Sequence, residues 1–207
     1  MSSDIIEKEK VGFKEKLLTN IGKRRMFRKQ RNIGKLVINL AYREIIKLIL
    51  DIEGNLESAL EKLFEISTKY GHNFLQEWIY QGSVILSKYV GDHAVWIKAG
   101  YYSFTGDNIK DIKFIPATNE NENPKIIWTI DDCFLCAGMD RDDQLKLNKE
   151  TLGKMGYCVA IAGIFQTTVN LINEYTGIKY KGVVRETKCK LKGDPYDEFI
   201  VEFYPTD

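Results

Sequence analysis

The chain has 207 residues, 44% hydrophobic and 29% charged, an ordinary globular composition with length enough for one substantial core. Its 30 basic and 29 acidic side chains leave a net charge of +1, so no overall field draws nucleic acid or acidic lipid, and any such contact has to be local. Four cysteines and the lack of an apolar N-terminal h-region argue against a secretory signal and for a reducing, cytoplasmic setting, where thiols and metal ligands are commoner than disulfides.

Residues 1–34 read as a charged N-terminal arm ahead of one domain at 35–207. The arm carries Lys23, Arg24, Arg25, Arg28, Lys29 and Arg31, and a narrow apolar stripe of Phe13, Leu17, Leu18 and Ile21. Two readings fit it: a solvated arm, or a basic patch touching a membrane surface or an acidic partner, where each basic residue near an anionic leaflet contributes ~1 kcal/mol. The cluster has no recognition-helix context, so nucleic acid is not expected as a partner. From Leu36 to Asp51 a wide apolar stripe of Leu36, Val37, Leu40, Ala41, Ile45, Leu48 and Ile49 predicts a helix. Gly54-Asn55 stops it, a second helix starts at Leu56 and runs past Leu63 to Ser67, and the tight join predicts an antiparallel pair.

A third helix is expected from about His72, with Gly82 a weak or kinked point. The only histidines, His72 and His93, read as caps or surface residues and are assigned no chemistry. Ala94 to Ser103 is a short helical or irregular stretch. Ile109–Ile115 and Lys125–Asp131 alternate as strands of a first hairpin around the polar loop Asn119–Pro124. Cys133 and Cys136 form a CxxC at the strand end, and an acidic connection from Asp140 to Asn148 follows.

Met155 to Asn173 holds nineteen residues without a charge, with larger side chains at helical spacing. Gln166, Thr167, Thr168 and Asn170 interrupt it with polar groups that lipid penalises, which favours a buried core helix over a bilayer span. Gly177 stands where a left-handed C-cap is needed. Beyond it, Ile178–Leu191 and Glu198–Tyr204 read as strands of a second hairpin turned by Gly193-Asp194-Pro195. The fold class that results is α+β: N-terminal helices packed on one face of an antiparallel sheet of two hairpins flanking one buried helix.

Gly156-Tyr157-Cys158, Gly163, Gly177 and the run Glu186-Thr187-Lys188-Cys189-Lys190-Leu191-Lys192-Gly193-Asp194-Pro195 with Phe199 closely resemble the C-terminal signature of the 4-vinyl reductase domain family. The eukaryotic relatives of that family are the small subunits of the TRAPP vesicle-tethering complex. The signature covers roughly a quarter of the chain, and upstream only the order of elements agrees.

The resemblance implies three things. A structural zinc would be held by Cys158, Glu186, Cys189 and the position of Asp197, where the family has a cysteine. Glu186 and Cys189, three apart on a strand, converge only across a bulge, and the spacing from Cys158 to Glu186 is longer than in the related sensors. Cys133 and Cys136 offer alternative thiolates, and buried structural thiols without metal are the other reading. Second, a pocket for a small hydrophobic ligand would lie along Ala160, Ala162, Gly163 and Phe165, unless the helical layer fills it. No cysteine stands between residues 1 and 132, so the S-acylation that some TRAPP subunits carry after their third helix is not expected. Third, the N-terminal helices would form a dimer with the same chain or a related subunit.

No Gly-rich phosphate loop, Ser/His/acid set or HExxH is recognisable, so no enzymatic activity is expected. The leading expectation is a TRAPP-like interaction or scaffold domain, a dimerising subunit of a membrane-trafficking tether-like assembly, cytoplasmic and in peripheral contact with membranes. The lack of a fused output module favours it. The alternative is a stand-alone sensor of a small hydrophobic or aromatic ligand.

Overall fold

The computed structural model describes residues 34–81, 87–118, 123–131, 133–139 and 144–206. The arm read over 1–34 lies outside them except for Gly34, as do the Gly82 kink and the acidic part of the 140–148 connection. Helix α1 spans residues 34–53. Its inner side buries Asn39, Tyr42 and Ile46, while Leu36, Val37, Leu40, Ile45, Leu48 and Ile52 face outward. Gly54 turns the chain, and the Asn55 side chain accepts from Ser58 N at 2.9 Å to start the next helix.

Helix α2, Leu56–Gln81, is one uninterrupted helix of 26 residues. The sequence reading breaks it before His72, and the correction has a physical reason. Gly71 in a helix interior costs only about 1 kcal/mol, and packing along helix α5 (Val159–Thr176) outweighs it. A Cβ on Gly163 would sit 2.8 Å from Ser67 Cβ and 3.0 Å from the Phe64 carbonyl oxygen, so the glycine lets the two helix backbones approach. The far end of α2 buries Leu75 and Ile79 with Leu171, Ile172 and Trp96.

Helix α3, His93–Thr105, follows a short 3-10 turn and packs on the sheet. Strands β1 (Asp111–Ile115), β2 (Lys125–Ile130), β3 (Tyr180–Lys188) and β4 (Asp197–Pro205) form one antiparallel sheet in the order β1-β2-β4-β3, so the two hairpins join through β2 and β4. Trp128 of β2 pairs with Phe199 of β4 in register, stacks on it at 5.4 Å, and meets Phe165 of α5 edge-on at 5.5 Å. A one-turn helix α4, Lys149–Leu152, capped by Asn148, precedes α5 and has no counterpart in the sequence reading.

The polar groups of α5 have a structural use. Gln166 accepts from Val184 N at 3.0 Å, Asn170 bonds both N and O of Gly182 at 2.8 and 2.9 Å, and Asn173 donates to Tyr180 O at 2.8 Å. These residues satisfy the outer edge of β3, which no other strand pairs in the sheet order. Among the described residues no helix is long and apolar enough to cross a membrane.

His93 corrects the expectation of a cap or surface residue. It is 1% exposed, its Nδ1–H donates to Val90 O at 2.9 Å, and its ring meets Phe203 edge-on at 5.2 Å. Burial holds its pKa below the ordinary histidine value. The unfolded chain therefore takes up a proton before the folded one does. His93 contributes stability that is present above the unfolded value, near 6.5, and lost as pH falls toward the folded pKa. The stability difference between the parent and His93→Asn should shrink as denaturant melts are carried from pH 7.5 to pH 5; a constant difference refutes this.

Candidate metal centre and adjoining cavity

All four cysteines are buried and free, and the fold brings them together from three places. Cys133 and Cys136 lie on the turn after β2, closed by Cys136 N donating to Cys133 O at 3.0 Å. Cys158 is the N-cap of α5, and Cys189 follows β3. Cys158 Sγ stands 3.0 Å from Cys133 Sγ and 3.2 Å from Cys136 Sγ. Ligand atoms of Cys133, Cys136 and Cys158 form one compact triad, and those of Cys136, Cys189 and Asp197 another, so Cys136 is the shared corner.

The expected bulge is present, since the β3–β4 register shifts between Glu186 and Lys188. Glu186 thereby turns inward and accepts from Cys158 N at 2.8 Å, capping α5 from another element. A Cβ on Gly156 would collide with that carboxylate. Helix α5 begins at Val159, just past this capped position, rather than at Met155, as its sequence pattern suggests. Asp197 accepts from Lys190 N at 2.9 Å through one oxygen; its other oxygen and Glu186 Oε1 find no partner among the described residues.

The electrostatics follow from placing so many acidic groups in a dry site. Hydrogen bonds donated by Cys136 and Cys158 hold Cys133 well below the ordinary thiol range, and one from Cys136 brings Cys189 to about 6. The bonds that Cys136 gives push its own thiol up, and burial pushes Cys158 up. Burial, then the nearby thiolates, raises Glu186 well above the carboxyl range and Asp197 to about 7. Without a cation the cluster has to share protons; a divalent cation would remove that need. The donor set suits a structural metal. Zinc bonded to sulfur at 2.3 Å sets the edge of a sulfur tetrahedron at roughly 3.8 Å, wider than the 3.0 and 3.2 Å spacings here, so the thiols would move apart by about 0.6 to 0.8 Å to take the ion. The cysteine cluster can therefore hold a metal.

Of the residues that the sequence singled out, Cys158, Cys189 and Asp197 contribute to these triads, and Glu186 borders them as the cap. The central position of Cys136 has only the CxxC spacing as its signal in the sequence.

Beside the cluster lies an apolar cavity of ≈ 300 Å³, lined by Tyr42, Tyr101, Phe134, Leu135, Ala160 and Phe165 among others. Ala160 and Phe165 thus border it. Ala162 is buried outside its lining, and Gly163 faces α2. The Tyr101 hydroxyl is buried with no partner among the described residues, and burial and then the charge of Cys133 push its pKa upward. Tyr101 and Phe134 also border a larger, more open cleft of ≈ 560 Å³, at whose rim Lys35 pairs with Asp107 and Lys110 with Asp131.

No family model matches the sequence, and no curated protein matches it. Solved structures do. The crystal structure of a trafficking protein particle complex subunit 3 from Naegleria fowleri, covalently bound to palmitic acid, superposes with a TM-score of 0.62 at 17% identity, over 84% of this chain and 98% of that one. The phenol-responsive sensory domain of the transcription activator PoxR, with phenol, reaches 0.49 at 11% identity, over 82% and 74%, a likeness too slight to build on. The chain has a TRAPP-like fold.

Proposed function

We propose that this chain is a non-enzymatic TRAPP-like interaction subunit, which pairs with a second copy of itself or with a related subunit through the outer face of α1. The observation that carries the proposal is that face: Leu36, Val37, Leu40, Ile45, Leu48 and Ile52 stand in water on one helix, with Leu48 65% and Ile52 81% exposed. Scattered apolar residues need no explanation, but six large ones exposed on one helix point to an interface. The subunit nature of the trafficking protein that shares the fold supports the same reading.

The reading includes kinship with the 4-vinyl reductase domain superfamily, supported by the meeting of Cys158, Glu186 and Cys189 that the signature implies. It also includes a structural zinc at the two triads that share Cys136, with the thiolates preferred because structural zinc sites favour sulfur over the oxygen that Asp197 offers. When bound, the ion would supply folding energy and no reaction. The expected setting is the cytoplasm, where the thiols stay reduced, with peripheral contact to membranes as part of an assembly of the tether kind. S-acylation is not part of the reading, since no cysteine precedes Cys133 and no cysteine lines the cavity.

The full chain should sediment as a dimer at micromolar concentration, and Leu48→Glu should weaken the association by about a hundredfold, since it places a charge in a desolvated contact. A parent chain that stays monomeric and captures no related subunit overturns the proposal. One observation favours a second reading. The cavity, with the Tyr101 hydroxyl as its polar group, suits a sensor of a small hydrophobic or aromatic molecule.

A further inference from the structure

Beside the buried Ile46, helix α1 is tied to the body of the protein by buried side-chain hydrogen bonds from Asn39 and Tyr42, and both adjoin the cysteine cluster. Asn39, 6% exposed, donates its side-chain amide to the carbonyl oxygens of Phe134 and Leu135, each at 2.8 Å. Those are the two residues between Cys133 and Cys136. One helical turn further on, the Tyr42 hydroxyl donates at 2.5 Å to the carbonyl of Tyr157, the residue before Cys158, and the two rings meet edge-on at 5.3 Å. Cys133 and Cys136 stand in a turn outside the sheet, and among the described residues its backbone bonds run from Cys136 N to Cys133 O and from Met139 N to Cys136 O. Leu135 and Met139 sink into the core, and the contact of Cys133 and Cys136 with Cys158 joins the turn to the start of α5.

We infer that a metal bound by the cysteine cluster controls the docking of α1, and through it both the apolar cavity and the exposed apolar face. The inference rests on the reading that the cluster holds a metal. Bound, the ion joins the Cys133–Cys136 turn to Cys158, and Asn39 and Tyr42 find their acceptors in place. Without it, buried acidic groups crowd one another, the turn loosens, and α1 loses the two carbonyl sites that hold its inner side. Phe134 and Leu135 move with the turn, and they are a wall of the cavity that Tyr42 closes from α1. Linkage makes the effect reciprocal: whatever holds α1, a partner on its outer face or a molecule in the cavity, raises the metal affinity by the same factor.

Hydrogen exchange on the reduced full-length chain tests this, first after chelation and then with zinc added back to one equivalent. Zinc should slow amide exchange in residues 34–53 and 133–139 by about tenfold or more, relative to β3 and β4 as internal reference. Cobalt in place of zinc, read by its thiolate charge-transfer absorption, reports binding independently. Asn39→Ala should still bind cobalt and still gain protection at 133–139, yet lose most of the metal-dependent protection of 34–53. Tyr42→Phe, which removes one hydroxyl and keeps the packing, should lose part of it. If cobalt binds and exchange in α1 does not change, the coupling is wrong while the metal site stands. If cobalt fails to bind the reduced chain, both are wrong.

Discussion

Cys136→Ser leaves the chain without stoichiometric zinc, and it melts roughly 10 °C below the parent when both are measured with zinc present. Cys136 is the corner shared by the two triads, so its loss breaks both. A metal at 1,000 times its Kd stabilises the state that binds it by about 4 kcal/mol. For a chain of this size each kcal/mol moves Tm by about 2–4 °C, which gives the expected gap. Calorimetry with elemental analysis checks it. The control is the same comparison after chelation, where the gap should close to a few degrees, because serine in place of a buried thiol then costs only a modest packing change. If the gap is equal with and without metal, and elemental analysis finds no zinc in the parent, the cysteines are structural thiols and the metal reading is withdrawn.

Gly163→Val should cost about 3 kcal/mol, whereas Ala160→Leu on the same helix should cost far less. A Cβ at Gly163 meets Ser67 Cβ at 2.8 Å and the Phe64 carbonyl oxygen at 3.0 Å, and a backbone oxygen cannot rotate away. Ala160 instead borders the cavity of ≈ 300 Å³, so a larger side chain there enters free space. Urea melts of the two variants give the difference in stability. Thermal shift against a panel of small aromatic compounds gives the functional half: stabilisation seen with the parent should disappear in Ala160→Leu. A Gly163→Val variant as stable as the parent would remove the close α2–α5 crossing. Ligand shifts that survive in Ala160→Leu would place the binding site elsewhere.

Much of the fold was legible because its signals are local. The apolar stripe of α1, the alternation of Lys125–Ile130, and the helix that ends at Gly177 (φ +71) each state a period or a turn that short-range geometry enforces. What was misread depends on distant contacts. The stretch from about His72 looks like a separate helix until α5 lies against α2. Met155–Cys158 looks helical until the Glu186 carboxylate occupies the space beside Gly156. His93 looks like a surface residue until Phe203 covers it. The polar residues Gln166 and Asn170 could be read as unfit for lipid, but not as partners of the β3 edge, since nothing in a linear pattern says which strand edge a helix will cover.

By itself the sequence determined that this is an α+β chain with an uncharged run in one helix, four thiols of which two form a CxxC, and an N-terminal helix with a wide apolar stripe. Periodicity and residue chemistry are properties of neighbours in the chain, so they survive without coordinates. Only the tertiary structure decided that Cys133, Cys136, Cys158 and Cys189 share one dry site, and that Asn39 and Tyr42 fasten α1 to the residues beside it. The reason is that sulfur–sulfur spacings of 3.0 and 3.2 Å between residues more than twenty apart come from how the hairpin ends meet the start of α5, which is set by packing and by a bulge in β3.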